Sequence, residues 1–213
     1  MPAGYASWFW SGRKPDGIRM FATTIAPGAE LRPLEPWQAE EFAAHMDRAR
    51  DHIRSRVGTL FVSDDVAGAR VTLQSYADGA AHDGQRIYGI WLNGTLVGGV
   101  MFVNFNAANG TCELGCWLEP DAEGRGLITA ACRALLSWAF EVRGVHRAEW
   151  HCRTDNARSS AVAQRLGMSL EGVLRESWLR DGEFHDMQVW AVLDREWRAS
   201  PGGSGMRSVL GPS

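Results

Sequence analysis

The sequence predicts an α/β (mixed α+β) fold built on a mixed sheet. Three observations predict it. Apolar residues recur every three or four positions in several separate stretches, the period of a helix with one buried face. Apolar runs of strand length are joined by Asn93-Gly94, Asn109-Gly110 and Asp181-Gly182, which are hairpin turn signals. The two kinds of segment also alternate, but residues 86–118 read as three consecutive hairpin-linked strands, so the sheet is mixed rather than wholly parallel.

The elements follow in order. Residues 1–28 are rich in Gly, Pro and aromatics without a clear period and read as an extension, with Trp8 and Trp10 pinning it to the body. Glu30–Leu34 reads as a short edge strand, where Pro33 is tolerated. From Pro36 the spacing of Phe42, Met46, Ala49, Ile53 and Val57 predicts a helix, with Pro36 in its first turn. Its charge run Asp47-Arg48-Ala49-Arg50-Asp51 reads as a solvated face with i,i+3 and i,i+4 pairs. A weaker helix fits 65–79. Strands follow at Arg86–Leu92, Thr95–Asn104 and Thr111–Leu118. Leu127–Val142 has helical period and ends at Gly144, and 147–153 alternates with Ala148, Trp150 and Cys152 on one face. Asp155 or Asn156 caps a helix to Leu166, with Gly167 after it. A last hairpin spans Met168–Leu179 and Phe184–Leu193. One domain over 29–198 is the expectation, with 199–213 a flexible tail.

Composition excludes several classes. In 213 residues, 22 Lys and Arg against 25 Asp and Glu give a net charge of −3, not the basic footprint of a nucleic-acid binder. No apolar run approaches the ~20 residues that span a bilayer, and the N-terminus lacks a signal-peptide pattern. Cys112, Cys116, Cys132 and Cys152 are too few for a disulfide-stapled module. They hold no Cys-x2-Cys pair, so they read as small buried residues and no metal is expected. The expectation is a cytoplasmic enzyme without a membrane or nucleic-acid partner.

Gly124-Arg125-Gly126 lies between a strand and a helix, where a phosphate-bearing ligand would want it. Glycine permits close backbone approach, and the helix's first N–H groups and dipole favour an anion; Thr129 adds a hydroxyl. The loop is neither a dinucleotide fingerprint nor a P-loop, since no third glycine and no Gly-Lys-Ser/Thr follows. On these residues alone, a plain strand-to-helix turn stays open beside ligand binding.

A strand, a glycine loop, a helix, a strand and an Asn-capped helix ending Leu166-Gly167 follow one another. This order resembles the GNAT superfamily of acyl-CoA N-acyltransferases, and within it the ribosomal-protein-serine branch. The resemblance rests on Glu113-Leu114-Gly115-Cys116-Trp117-Leu118, Glu123-Gly124-Arg125-Gly126-Leu127-Ile128, Cys152-Arg153-Thr154-Asp155-Asn156 with Ser159, Leu170-Glu171-Gly172 and Phe184-His185-Asp186. It implies a central mixed, mostly antiparallel twisted sheet of about seven strands with helices on both faces, a splayed strand pair that binds CoA, and acetyl-CoA as co-substrate. It also implies a peptide N-terminus or small-molecule amine as acceptor, and a homodimer.

Residue by residue, the resemblance places Cys116, Trp117 and Leu118 along the pantetheine arm. It puts the pyrophosphate on the loop of Gly124, Arg125, Gly126, Leu127, Ile128 and Thr129, and Asn156 on the pantetheine. Glu123 departs from the family's usual Gln or Arg; a carboxylate there repels pyrophosphate and is expected to point to solvent. The tyrosine common in the superfamily falls at Ala163, so Ser159 is the candidate to assist the leaving thiolate. Glu176 is the candidate base. It is expected to share a strand face with Leu174 and Trp178, an apolar setting that raises a carboxyl pKa. Glu113 is the rival base, and His151, with Glu149 on its strand face, a third candidate. An α-amine titrates near 7.7–8.0 and a lysine near 10.4, so a modest base suits α-amines better. A non-catalytic acyl-CoA-binding module would keep Gly124, Gly126 and Asn156 but need neither Glu176 nor Ser159.

Overall fold

The structure is a computed structural model and describes residues 22–54 and 63–200. Trp8, Trp10, Val57 and the tail beyond Ser200 lie outside the described residues. Strands β1 (Thr23–Ala26) and β2 (Ala29–Pro33) form a hairpin, and α1 (Ala39–Arg54) follows a 3-10 turn at Pro36–Gln38. Next come α2 (Val66–Ala81) and the meander β3 (Arg86–Leu92), β4 (Thr95–Asn106) and β5 (Thr111–Leu118). Helix α3 (Leu127–Ser137) runs on into a π-helical turn, Trp138–Val142. Then follow β6 (Arg147–Arg153), α4 (Ala157–Arg165), the hairpin β7 (Ser169–Arg180) and β8 (Glu183–Leu193), and α5 (Asp194–Ala199).

The strands make one 8-stranded sheet in the order β1-β2-β3-β4-β5-β6-β8-β7. Among the described residues only β5 and β6 pair in parallel; the other ladders are antiparallel. Two expectations are corrected here. The sheet has a strand beyond the seven expected, because β1 falls inside the stretch read as an extension. It covers the outer side of β2, which is therefore an interior strand and not an edge. Pro33 is tolerated because it is the last residue of that strand. The short helix α5 has no counterpart in the sequence reading.

Turn chemistry sets the register. Asn93 and Gly94 both have positive φ (51° and 85°), as do Asp181 and Gly182 (50° and 84°), the geometry of the two-residue turns that match strand twist. Asp65 caps α2 by accepting the Gly68 N–H at 2.7 Å, and Asn156 caps α4 by accepting from Ser159.

Period 2 in the strands sends alternate residues to two cores. On one face Phe42, Met46 and Ile53 of α1 and Leu73 of α2 pack on Trp91, Met101 and Trp117. On the other, Ile128, Cys132 and Leu136 of α3 pack with Phe102, Leu114, Trp150, Trp190 and Trp197. The charged residues of the α1 run are mostly exposed, as expected, with Arg50 half-buried. Arg50 does pair with Asp47 three residues away, but Arg48 bonds Glu119 and the Leu96 carbonyl, and Arg50 also reaches Asp64.

The feature that positions the site is where the parallel ladder stops. β5 and β6 are in register from Thr111–Arg147 to Leu114–Trp150. Both strands continue beyond that, to Leu118 and Arg153, and part company. Gly115–Leu118 stay bonded to β4 on their other side, so the edge they turn toward β6 faces a gap.

Candidate active site

A cavity of about 1400 Å³ occupies this gap. Cys116, Trp117 and Leu118 line it from β5, and Asn156 and Ser159 from α4; Gly124, Gly126, Leu127, Ile128 and Thr129 line it at the start of α3. Arg125 is the one loop residue of the expected set outside the lining; its side chain is exposed and reaches the Asp121 carbonyl. Gly124 and Gly126 have φ of 76° and 73°, and a Cβ on either would meet nothing within 4 Å. Their glycines therefore answer to backbone conformation, which turns the loop into the N-terminus of α3.

Ser159 sits in the first turn of α4. Its Oγ accepts a hydrogen bond from the Trp150 indole N–H at 2.9 Å. Indole nitrogen only donates, so the serine's own proton is left to point elsewhere. Trp117 divides its roles. Its backbone belongs to the splayed edge, while its side chain is buried under α1 and donates to His45 Nε2 at 2.8 Å. A Cβ on Gly99 would overlap the Trp117 ring, so that glycine makes room for it. Cys116 and Cys112 are neutral thiols, since burial pushes each up to about 12. That removes them as nucleophiles at neutral pH.

The three candidate bases fare differently. Glu113 on β5 lines the cavity and lies 3.6 Å from Nδ1 of His151 on β6, whose Nε2 is 3.0 Å from Glu149. Burial raises the Glu113 carboxyl above its ordinary 4.5, with the neighbouring Glu149 charge adding to the rise and His151 opposing it. His151 also lines the cavity and bridges two carboxylates. Glu176 is not where the strand pattern put it. Between the pairs Leu174–Met187 and Trp178–His185, β7 carries three residues against one on β8. Glu176 sits on this bulge with φ 51°, exposed, its N–H donating to Asp186, outside the cavity lining. The apolar strand face expected around it is absent because the bulge breaks the period of two.

Glu123 does not point to solvent either. Its carboxylate accepts from Arg158 of α4 at 2.5 Å and lies 3.1 Å from His52 Nε2 of α1. Sequence reasoning also missed Tyr76 of α2, which lines the cavity and donates to Met101 Sδ at 3.0 Å. Burial pushes its phenol up to about 12, so it is a neutral donor. No local signal marks Tyr76, His52 or Arg158; packing between distant segments brings them here. Among the described residues no group of three or more His, Cys, Asp or Glu is placed to hold a metal. No described helix is long and apolar enough to cross a membrane.

Comparison with known proteins agrees with this arrangement. Residues 29–169 match the family model of the acetyltransferase (GNAT) domain. YdaF of Bacillus subtilis (strain 168), provisionally named a ribosomal N-acetyltransferase, is 30% identical over 187 residues, covering 84% of this chain and 98% of its own. The ribosomal L7/L12 α-N-protein acetyltransferase RimL in complex with coenzyme A superposes with a TM-score of 0.75 at 21% identity, covering 81% of this chain and 97% of that one. The microcin C7 self-immunity acetyltransferase MccE, in complex with acetyl-CoA and AMP, gives 0.73 at 23% identity, covering 79% and 94%. A strand gap, a positive-φ glycine loop at a helix start and an Asn-capped second helix are thus found in a chain whose family model and relatives agree, and the chain belongs to the GNAT acetyltransferase family as an N-acetyltransferase.

Proposed function

We propose that the protein transfers the acetyl group of acetyl-CoA directly to an α-amine, such as the N-terminal serine of a ribosomal protein. One observation carries the reading. The cavity in the β5–β6 gap is lined by a raised-pKa carboxylate, Glu113, and by a hydroxyl, Ser159, whose oxygen is already occupied by a donor. The pantetheine arm lies along Cys116, Trp117 and Leu118, with the pyrophosphate on the N–H groups of Gly124 to Thr129 and Asn156 holding the arm from α4. The named activity of the L7/L12 neighbour supports an α-amine acceptor.

In this mechanism the amine nitrogen attacks the thioester carbonyl and its proton passes to Glu113, with His151 and Glu149 behind it. Backbone N–H groups of Cys116 to Leu118 hold the oxyanion. Collapse breaks the C–S bond. The departing thiolate takes a hydrogen bond from Ser159; an alkyl thiol titrates near 8.5, well below a serine hydroxyl, so Ser159 keeps its proton. No covalent acyl-enzyme forms. Glu113 takes the base role in place of Glu176 because it, and not Glu176, faces the cavity. A ribosomal acceptor places the protein in the cytoplasm.

The test is thiol release from acetyl-CoA by purified protein against a panel of amines. Turnover with serine-starting peptides supports the proposal. Turnover confined to aminoacyl sulfamoyl adenosines would move the acceptor to small nucleotide-like amines, as the MccE neighbour's bound AMP suggests. A peptide with a blocked terminus and internal lysine should remain unmodified. Acetyl-CoA binding without any turnover would favour a binding module.

A further inference from the structure

Glu123 occupies an unexpected place for a carboxylate. It precedes Gly124 and Gly126, the loop that leads into the N-terminus of α3. Its two oxygens reach in opposite directions, one to Arg158 of α4 at 2.5 Å and one to His52 of α1 at 3.1 Å. All three side chains line the cavity, so the bridge runs across it from one helix layer to the other. The Glu123 and His52 side chains are 29% and 21% exposed, whereas Arg158 is 67% exposed and tethered at one end only. A helix N-terminus and a guanidinium are what a phosphate group seeks. Glu123 already supplies an anion to the guanidinium, beside the helix start.

We infer that Glu123 is a resident carboxylate latch, held by Arg158 and His52, that the phosphates of an incoming nucleotide thioester must displace. On displacement Arg158 passes from the carboxylate to the ligand phosphates. The latch thereby lowers affinity for the donor without touching the reacting carbonyl. This inference rests on acetyl-CoA being the donor.

Isothermal titration of full-length protein with CoA separates the possibilities, using wild type, Glu123→Gln, Arg158→Gln and the double variant, each checked for an unchanged melting temperature. An exposed ion pair is worth up to about a factor of five, and two contacts compound. Glu123→Gln is therefore expected to bind CoA about three- to tenfold tighter. Arg158→Gln should bind more weakly, and weaker still relative to Glu123→Gln when both changes are combined. The gain from Glu123→Gln should shrink as salt rises. Through-space repulsion alone would make the gain from Glu123→Gln the same with Arg158 present or replaced, so a gain undiminished in the Arg158→Gln background overturns the latch. Binding by Glu123→Gln equal to or weaker than wild type, with wild-type binding intact, overturns the latch. Failure of wild type and Glu123→Gln alike to bind CoA overturns the donor reading itself.

Discussion

The indole N–H of Trp117 donates to Nε2 of His45 across 2.8 Å, and this one bond fixes the state of a fully buried imidazole. Because indole nitrogen cannot accept, His45 Nε2 carries no proton and the ring's hydrogen sits on Nδ1. That nitrogen is 2.6 Å from Glu119 Oε1, so it donates there. Burial lowers the His45 pKa, an effect that the Glu119 hydrogen bond only partly offsets. A doubly protonated ring would also place two donors face to face. The splayed end of β5 is thus pinned to α1 by a neutral histidine.

Stability should therefore depend on pH through His45. Its folded pKa lies below the unfolded value of 6.5, so the unfolded chain binds the extra proton. The contribution is fully present above pH 6.5 and is lost as pH falls from there toward the folded pKa. Urea unfolding at pH 7.5 and 5.5 should show a drop that His45→Gln reduces. Trp117→Phe, which leaves Nε2 without its donor, should cost about 1–3 kcal/mol at pH 7.5. Equal pH dependence in wild type and His45→Gln would contradict the assignment.

Glu113→Gln should lower kcat/KM by about 100-fold, the scale of a lost general base. In wild type the acid limb of the kcat/KM profile should lie above pH 4.5, because burial raises the Glu113 carboxyl. Activity then falls as pH drops through that raised pKa and the base becomes protonated. The residual activity of Glu113→Gln should lack this limb. A variant that keeps the limb would assign it to another group.

Ser159→Ala should reduce kcat by about 10- to 100-fold with little change in the KM for acetyl-CoA, since the hydroxyl acts on developing thiolate charge. Trp150→Phe removes the N–H that orients Ser159 Oγ, and should produce a smaller kcat loss of the same kind. Steady-state kinetics with a better thiol leaving group should shrink both defects. Defects that appear in KM alone would place Ser159 in ground-state binding.

Glu176→Gly tests the bulge. A non-glycine residue at φ 51° carries a left-handed strain of about 1 kcal/mol that glycine lacks, offset in part by glycine's greater unfolded freedom. The variant should be as stable as wild type or slightly more so by urea denaturation, with wild-type turnover. A large loss of turnover would return Glu176 to the chemistry.

Most elements were legible because their signals are local. The Asn-Gly and Asp-Gly turns set the hairpins, and helical spacing located α1, α3 and α4. The Gly124–Gly126 loop was legible as a loop because both glycines need positive φ. Glu176 was misread because a bulge leaves no trace in alternation, and Leu174 and Trp178 share a face whether or not the residues between them stay in the ladder. β1 was missed because Thr23–Ala26 is short and sits in a segment without clear period. Glu123 was misread because its partners His52 and Arg158 are 71 and 35 residues away, and only the packing of α1 and α4 about the sheet supplies them.

The parting of β5 and β6 has one more consequence. An open strand edge invites pairing with foreign chains, and proteins blunt such edges at the rim of a sheet. Here the open edge lies in the interior, between β4 and β6, with Ile128 and Val162 lining one side of the approach and Tyr76 the other. A polypeptide strand would have to bring side chains past both walls. A thin ligand with amides and no side chains does not. The parting thus leaves unpaired backbone inside the sheet, behind walls that leave less room for a polypeptide strand than for a slender chain.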